Sequence, residues 1–153
     1  MTVIDFSASA KRHFGDALFL EKDSRIANAG QLYGFCAECG IKALLILLGY
    51  PIDADGSPID RKEHRKQDPK IPYIREHINK LTAIKNEIDI YASGRSGARY
   101  LALIPNMGSF VDWSVDHRYY DQHQIPSSLP AWKRAATEMM KMMDVAFSDG
   151  ILR

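Results

Sequence analysis

Apolar positions recur at helical spacing through most of the chain, and no two runs alternate convincingly enough to make a strand pair. From about Ser7 to Lys22, Ala10, Phe14, Ala17, Leu18 and Glu21 stand at helical spacing, with Ser7 or Ser9 available as N-cap. After the break "EKDSR" the longest pattern runs from about Arg25 to Gly49. There Leu32, Tyr33, Phe35, Cys36, Cys39, Ile41, Ala43, Leu44, Leu47 and Leu48 spread round nearly the whole circumference. A helix apolar on all sides is buried on most of them, so this segment is predicted as the centre of the fold. Gly49 and Pro51 stop it.

Tyr73 to Tyr91 predicts one amphipathic helix, with Ile74, Ile78, Leu81, Ile84, Ile88 and Tyr91 in a stripe. "ASGRSG" ends it, and "ARYLALIP" suggests a short further helix. "FVDWSVD" alternates Val111, Trp113 and Val115 over too few residues to choose between an extended piece and a helical turn. The last helix is predicted to start near Pro130, with Ser128 as a candidate cap, and to end at Gly150. It would bury Trp132, Ala135, Ala136, Met139, Met143, Ala146 and Phe147. The set predicts a single all-α domain over residues 1–153, an up-and-down bundle of four or five helices.

Between the second and third patterns lies Pro51 to Pro72, a stretch of turn and charged residues. Long structureless loops are functional or disordered, and this one reads either as a solvated mobile loop or as an RNA-phosphate contact through Arg61, Lys62, Arg65 and Lys66. From Arg61 to Lys70 there are five Lys and Arg residues against Glu63 and Asp68, a local excess of three. The whole chain is balanced at a formal +1, which excludes a wholesale polyanion binder. Its 46% hydrophobic and 25% charged residues suit a soluble globular protein. No signal sequence opens it, and the apolar run Ile41 to Leu48 is too short to span a bilayer, so a cytoplasmic protein without membrane contact is expected.

The two cysteines, Cys36 and Cys39, lie inside the central apolar helix, away from any helix N-terminus that would lower a thiol pKa. No second CxxC or paired-histidine motif completes a zinc site, so core thiols are expected, with no metal and no cofactor. On the same helix Glu38 and Lys42 stand at i, i+4 with the acid first, the favourable order. One reading is an ion pair on a solvated strip. The other is a charged group beside a functional cleft, because a lone buried charge demands a partner.

The stretch "RHFGDALFLEKDSRIANAGQLYGFCAECGIKALL", residues 12–45, resembles the paired opening helices of HEPN-domain proteins. Arg25, Asn28, Ala29, Glu38, Lys42, Ala43 and Leu44 match the family pattern, and "DWSVDHRY" is similar to a Trp-to-Arg-Tyr element found before the last helix in one branch. The likeness spans most of the chain outside 51–72. It implies a HEPN-like bundle, usually a homodimer, working in some members as a binding subunit beside a nucleotidyltransferase-type partner. In other members it implies a metal-independent endoribonuclease of the toxin or phage-defence type, with an arginine followed four to six residues on by a histidine.

Arg118, "YYDQ" and His123 reproduce that spacing. Arginine can hold a scissile phosphate and histidine can move a proton near neutral pH. On a regular helix residues five apart point about 140° away from each other, so only a loop or helix start could bring this pair together. The alternative reading of "DWSVDHRYYDQH" is structural: Trp113 and Tyr119 plug the open end of the bundle, Arg118 pairs with Glu38 or Asp116, and His117 is solvated.

Overall fold

Asp5, rather than Ser7 or Ser9, caps the first helix of the computed structural model, which describes residues 2–151. Its carboxylate accepts the Ala8 N–H at 2.9 Å, and α1 accordingly starts one residue early, spanning Phe6–Lys22. Ser24 takes a positive φ of 61° in the short turn, and α2 follows as Ile26–Leu47. Tyr33 near the start of α2 reaches Glu21 at the end of α1, and Lys42 near its end lies by Phe6 at the start. The two helices are therefore antiparallel, as the three-residue connection 23–25 requires.

Fifteen of the 22 residues of α2 are buried, among them both cysteines, whose thiols burial pushes up to about 12. By length and composition α2 could cross a membrane, yet 78% of its apolar window is buried inside the fold. It is the central rod that the all-round apolar pattern predicts. Gly49 ends it at φ 95°, a conformation that costs glycine little.

Segment 51–72 follows a defined path rather than a structureless one. Asp53 N–H donates to Ser57 O at 2.8 Å, Ile52 bridges Pro58, and Asp60 caps the single turn α3, Arg61–His64. The single helix expected over 73–91 is two: α4 Ile78–Ala83 and α5 Lys85–Ser93. The Tyr50 hydroxyl holds Pro72 O at 2.7 Å, the chain bends at Arg75 and Glu76, and His77 is extended (φ −78°, ψ 163°), so helix begins only afterwards. At Ile84 the N–H turns back to Leu81 O, while the Thr82 hydroxyl donates to Met107 O at 3.0 Å. The predicted stripe survives the break: Ile74, Ile78, Leu81, Ile88 and Tyr91 are all buried.

A one-turn α6, Ala98–Leu101, is followed by turns of 3-10 type at Met107–Asp112, Val115–Tyr119 and Gln122–Gln124, and then by α7, Leu129–Ser148. Ser128 precedes α7 but gives no side-chain cap; its hydroxyl goes to Asp112 instead. α7 lies along α2 in the same direction, Trp132 meeting Gly30 and Met139 meeting Gly40. Lys133 also reaches Glu21 at 3.0 Å, tying α7 to α1. Phe147, expected inside, is 56% exposed beneath the Lys11 ammonium, and Met142 takes the inward place. Among the described residues there is no strand, and the fold is all-α.

Candidate functional site

Residues 107–124 are fastened to α2 and α7 by two indoles. Trp113 is buried, its N–H donating to Gly30 O at 3.1 Å and its ring resting where Gly34 has no side chain. Trp132 donates to Asp112 Oδ1 at 2.9 Å, and the Gln31 amide donates to Ser114 O at 2.7 Å. With three residues per turn in the Val115–Tyr119 segment, neighbours point about 120° apart.

That spacing sorts the expected site residues. His117 faces inward and is buried, not solvated: it stacks on Trp132 at 6.0 Å, and its Nδ1 has no hydrogen-bond partner among the described residues. Burial lowers its pKa. Tyr119 faces outward at 73% exposure, so Trp113 alone of the two aromatic rings closes the bundle end. Arg118 is exposed and, among the described residues, pairs with neither Glu38 nor Asp116; its guanidinium lies 4.7 Å from the Tyr119 ring centroid. Asp116 is exposed, its own N–H held by the Ser114 hydroxyl oxygen. His123 stands exposed on the next 3-10 turn. Arg118 and His123 thus each face solvent, on successive 3-10 turns.

The Glu38–Lys42 pair is not on a solvated strip. Glu38 is 9% and Lys42 6% exposed, with Nζ to Oε1 at 2.8 Å. A buried carboxylate needs more than one partner, and the second comes from far along the chain. His77 Nδ1 lies 3.0 Å from Glu38 Oε2, and because a carboxylate only accepts, Nδ1 carries the proton. The His77 ring is 6.2 Å from both Phe35 and Trp113, which are themselves edge-on at 5.4 Å. The His13 ring of α1 lies 5.7 Å from that of Phe35. Burial, then Arg12 beside it, lowers the His13 pKa.

His13 and His77 escape sequence reasoning. His77 falls inside a stretch read as continuous helix, and its partner is 39 positions away. The one available signal is the lone Glu38–Lys42 pair on an otherwise apolar rod, which asks for a further polar partner.

In the basic segment Arg61 is held by Glu76 at 3.0 Å and stacks on Tyr73, and Lys66 pairs with Glu63. Lys62 and Arg65 are exposed. An apolar cleft of about 460 Å³ lies elsewhere, between residues 3–7 and the end of α2. No group of three His, Cys, Asp or Glu side chains that could hold a metal is present among the described residues. Comparison with protein-family models, with curated proteins and with solved structures finds no match for this chain.

Proposed function

We propose that this chain is a helical interaction module of the HEPN kind, a bundle that associates with a second copy of itself or with a nucleotidyltransferase-type partner. The observation that carries the reading is the rim beside the buried Trp113. Val111, Tyr119 and Tyr120 are 72%, 73% and 48% exposed, and Arg118 and His123 are exposed among them. Tyrosine and arginine are the residue types that dominate binding energy at interfaces, where they meet water-excluding pockets on a partner. The fold makes little use of most of these side chains, since Trp113 and His117 supply the inward contacts of the same segment and only Tyr120 leans on the His117 ring, at 5.6 Å. The test is mass measurement over a concentration series. The wild type is expected to form a dimer or a defined complex, and Tyr119→Ala with Arg118→Ala is expected to weaken it at least tenfold at unchanged Tm. A chain that stays monomeric and retains no partner refutes the module.

A second reading is favoured by Arg118 and His123, neither of which pairs with a carboxylate side chain among the described residues. In a metal-independent endoribonuclease, Arg118 would hold the phosphate and His123 would move the proton, with a second copy completing the cleft. Single-stranded RNA cut in the presence of EDTA, leaving cyclic phosphate ends, would support it. Equal cutting by His123→Ala removes His123 from the role.

A further inference from the structure

A hollow of about 230 Å³ lies where residues 68–71 pass the end of α5. Ile71, Ile90 and Tyr91 give it an apolar wall, and Lys70, Arg95 and Asp68 give it a charged edge. Sites for drug-sized molecules run to about 300–1,000 Å³, so this one suits a smaller molecule. Lys70 and Arg95 are exposed and pair with no carboxylate side chain among the described residues. Asp68 is exposed too, its Oδ1 accepting the Lys70 backbone N–H at 2.9 Å. Two cations against one carboxylate leave the edge positive.

Two contacts prepare the hollow for an oxyanion. Arg95 lies over the Tyr91 ring, its Cζ 3.7 Å from the centroid, and its Nη1 donates to Tyr91 O at 3.2 Å. Ring and carbonyl hold the guanidinium in place, and its other N–H groups remain to donate. Tyr91 itself is only 4% exposed, and its hydroxyl has no hydrogen-bond partner among the described residues. Tyr50, edge-on to it at 5.7 Å, spends its own hydroxyl on Pro72 O. Burial raises the Tyr91 pKa against the opposing charge of Arg95, so at neutral pH the hydroxyl keeps its proton and is a donor. A buried hydroxyl left without an acceptor costs stability, and an oxyanion supplies the acceptor.

We propose that this hollow binds a small apolar carboxylate. The carboxylate accepts from the Arg95 fork and from the Tyr91 hydroxyl, Lys70 adds its charge, and the hydrocarbon body lies on Ile71 and Ile90. A planar guanidinium matches a carboxylate by two parallel N–H···O bonds. A bare inorganic ion would leave the isoleucines uncovered, whereas an apolar body removes their surface from water. The site makes no use of the rim at 111–123 and stands whichever reading of that rim holds.

The test is a titration of benzoate and of isovalerate into the full chain, followed by amide NMR. At least one of them should give saturable shifts at residues 70–71 and 90–95. Benzyl alcohol, the uncharged counterpart of benzoate, should bind about tenfold or more weakly, since it offers the guanidinium no charge. Arg95→Gln should weaken binding about tenfold or more at unchanged Tm, the usual worth of a hydrogen bond to a charged group. Tyr91→Phe should weaken it by a similar factor. Without ligand, Tyr91→Phe should keep or raise Tm, because it removes a buried hydroxyl that has no acceptor. No saturable shift with either carboxylate overturns the proposal, as does benzyl alcohol or inorganic phosphate binding as tightly as the better carboxylate. Unchanged affinity in Arg95→Gln or Tyr91→Phe overturns it too, and a Tm loss in Tyr91→Phe shows a hydroxyl already used by the fold.

Discussion

Replacing Gly34 by alanine sets two effects of known sign against each other. In an exposed helix the change is favourable by about 1 kcal/mol, because glycine is the poorer helix former. At position 34 the new methyl would occupy the place of the Trp113 indole, overlapping Cε2, Nε1 and Cζ2 of the ring. These atoms are not the far end of a flexible chain. The indole is 1% exposed, held by Gly30 O at 3.1 Å and set edge-on against Phe35. Overpacking of this kind costs about 1–3 kcal/mol. Displacing the indole N–H from its acceptor adds about 1 kcal/mol. After subtracting the propensity gain, Gly34→Ala should lose about 1–3 kcal/mol, a fall in Tm of roughly 2–12 °C at the 2–4 °C per kcal/mol usual for a domain of this size. Gly15→Ala is the internal control: it lies on α1 with nothing within 4 Å of the added methyl, so only the propensity effect remains and Tm should rise. Thermal unfolding followed by circular dichroism measures both, and tryptophan fluorescence reports whether the indole has moved. If Gly34→Ala is as stabilising as Gly15→Ala, the fit of Trp113 against α2 is not what holds the 107–124 segment.

The buried ions give a second test. Lys42→Met should cost about 3–5 kcal/mol by leaving Glu38 short of a partner, and the double change Lys42→Met with Glu38→Gln should cost less than the single one; denaturant titration of the three proteins decides it, and a larger loss in the double change contradicts the argument. The sorting of the rim predicts that Trp113→Ala loses about 3–5 kcal/mol, whereas Tyr119→Ala stays within about 0.5 kcal/mol, both read from chemical denaturation. His117 and His13 have lowered pKa values, burial being the first cause in each. Their neutral forms belong to the fold, so the unfolded chain takes up protons first as pH falls below about 6.5. Stability should be full above that pH and decline towards the lower folded values. His117→Phe should flatten the decline below about pH 6.5; an unchanged slope would clear His117 of the effect.

The sequence by itself determined the helical class, the burial of the rod from Cys36 to Leu45 (though not of Leu47, which is 41% exposed) and the apolar stripe from Ile74 to Tyr91. These depend on periodicity, which is a property of residues three or four apart and is written locally. The break at Ile84 and the late start at His77 were not legible, because Thr82 and Tyr50 are held by acceptors at Met107 and Pro72 that periodicity cannot see. Arg118 and His123 were legible as a spacing, but their outward facing was decided by two successive 3-10 turns, the first burying His117 and leaving Arg118 outside, the second exposing His123. Glu38 and Lys42 were legible as a pair and misplaced as a surface one. Only the packing of α4 against α2 brings His77 to Glu38, since a buried carboxylate takes its partner from whichever segment the closed chain sets beside it.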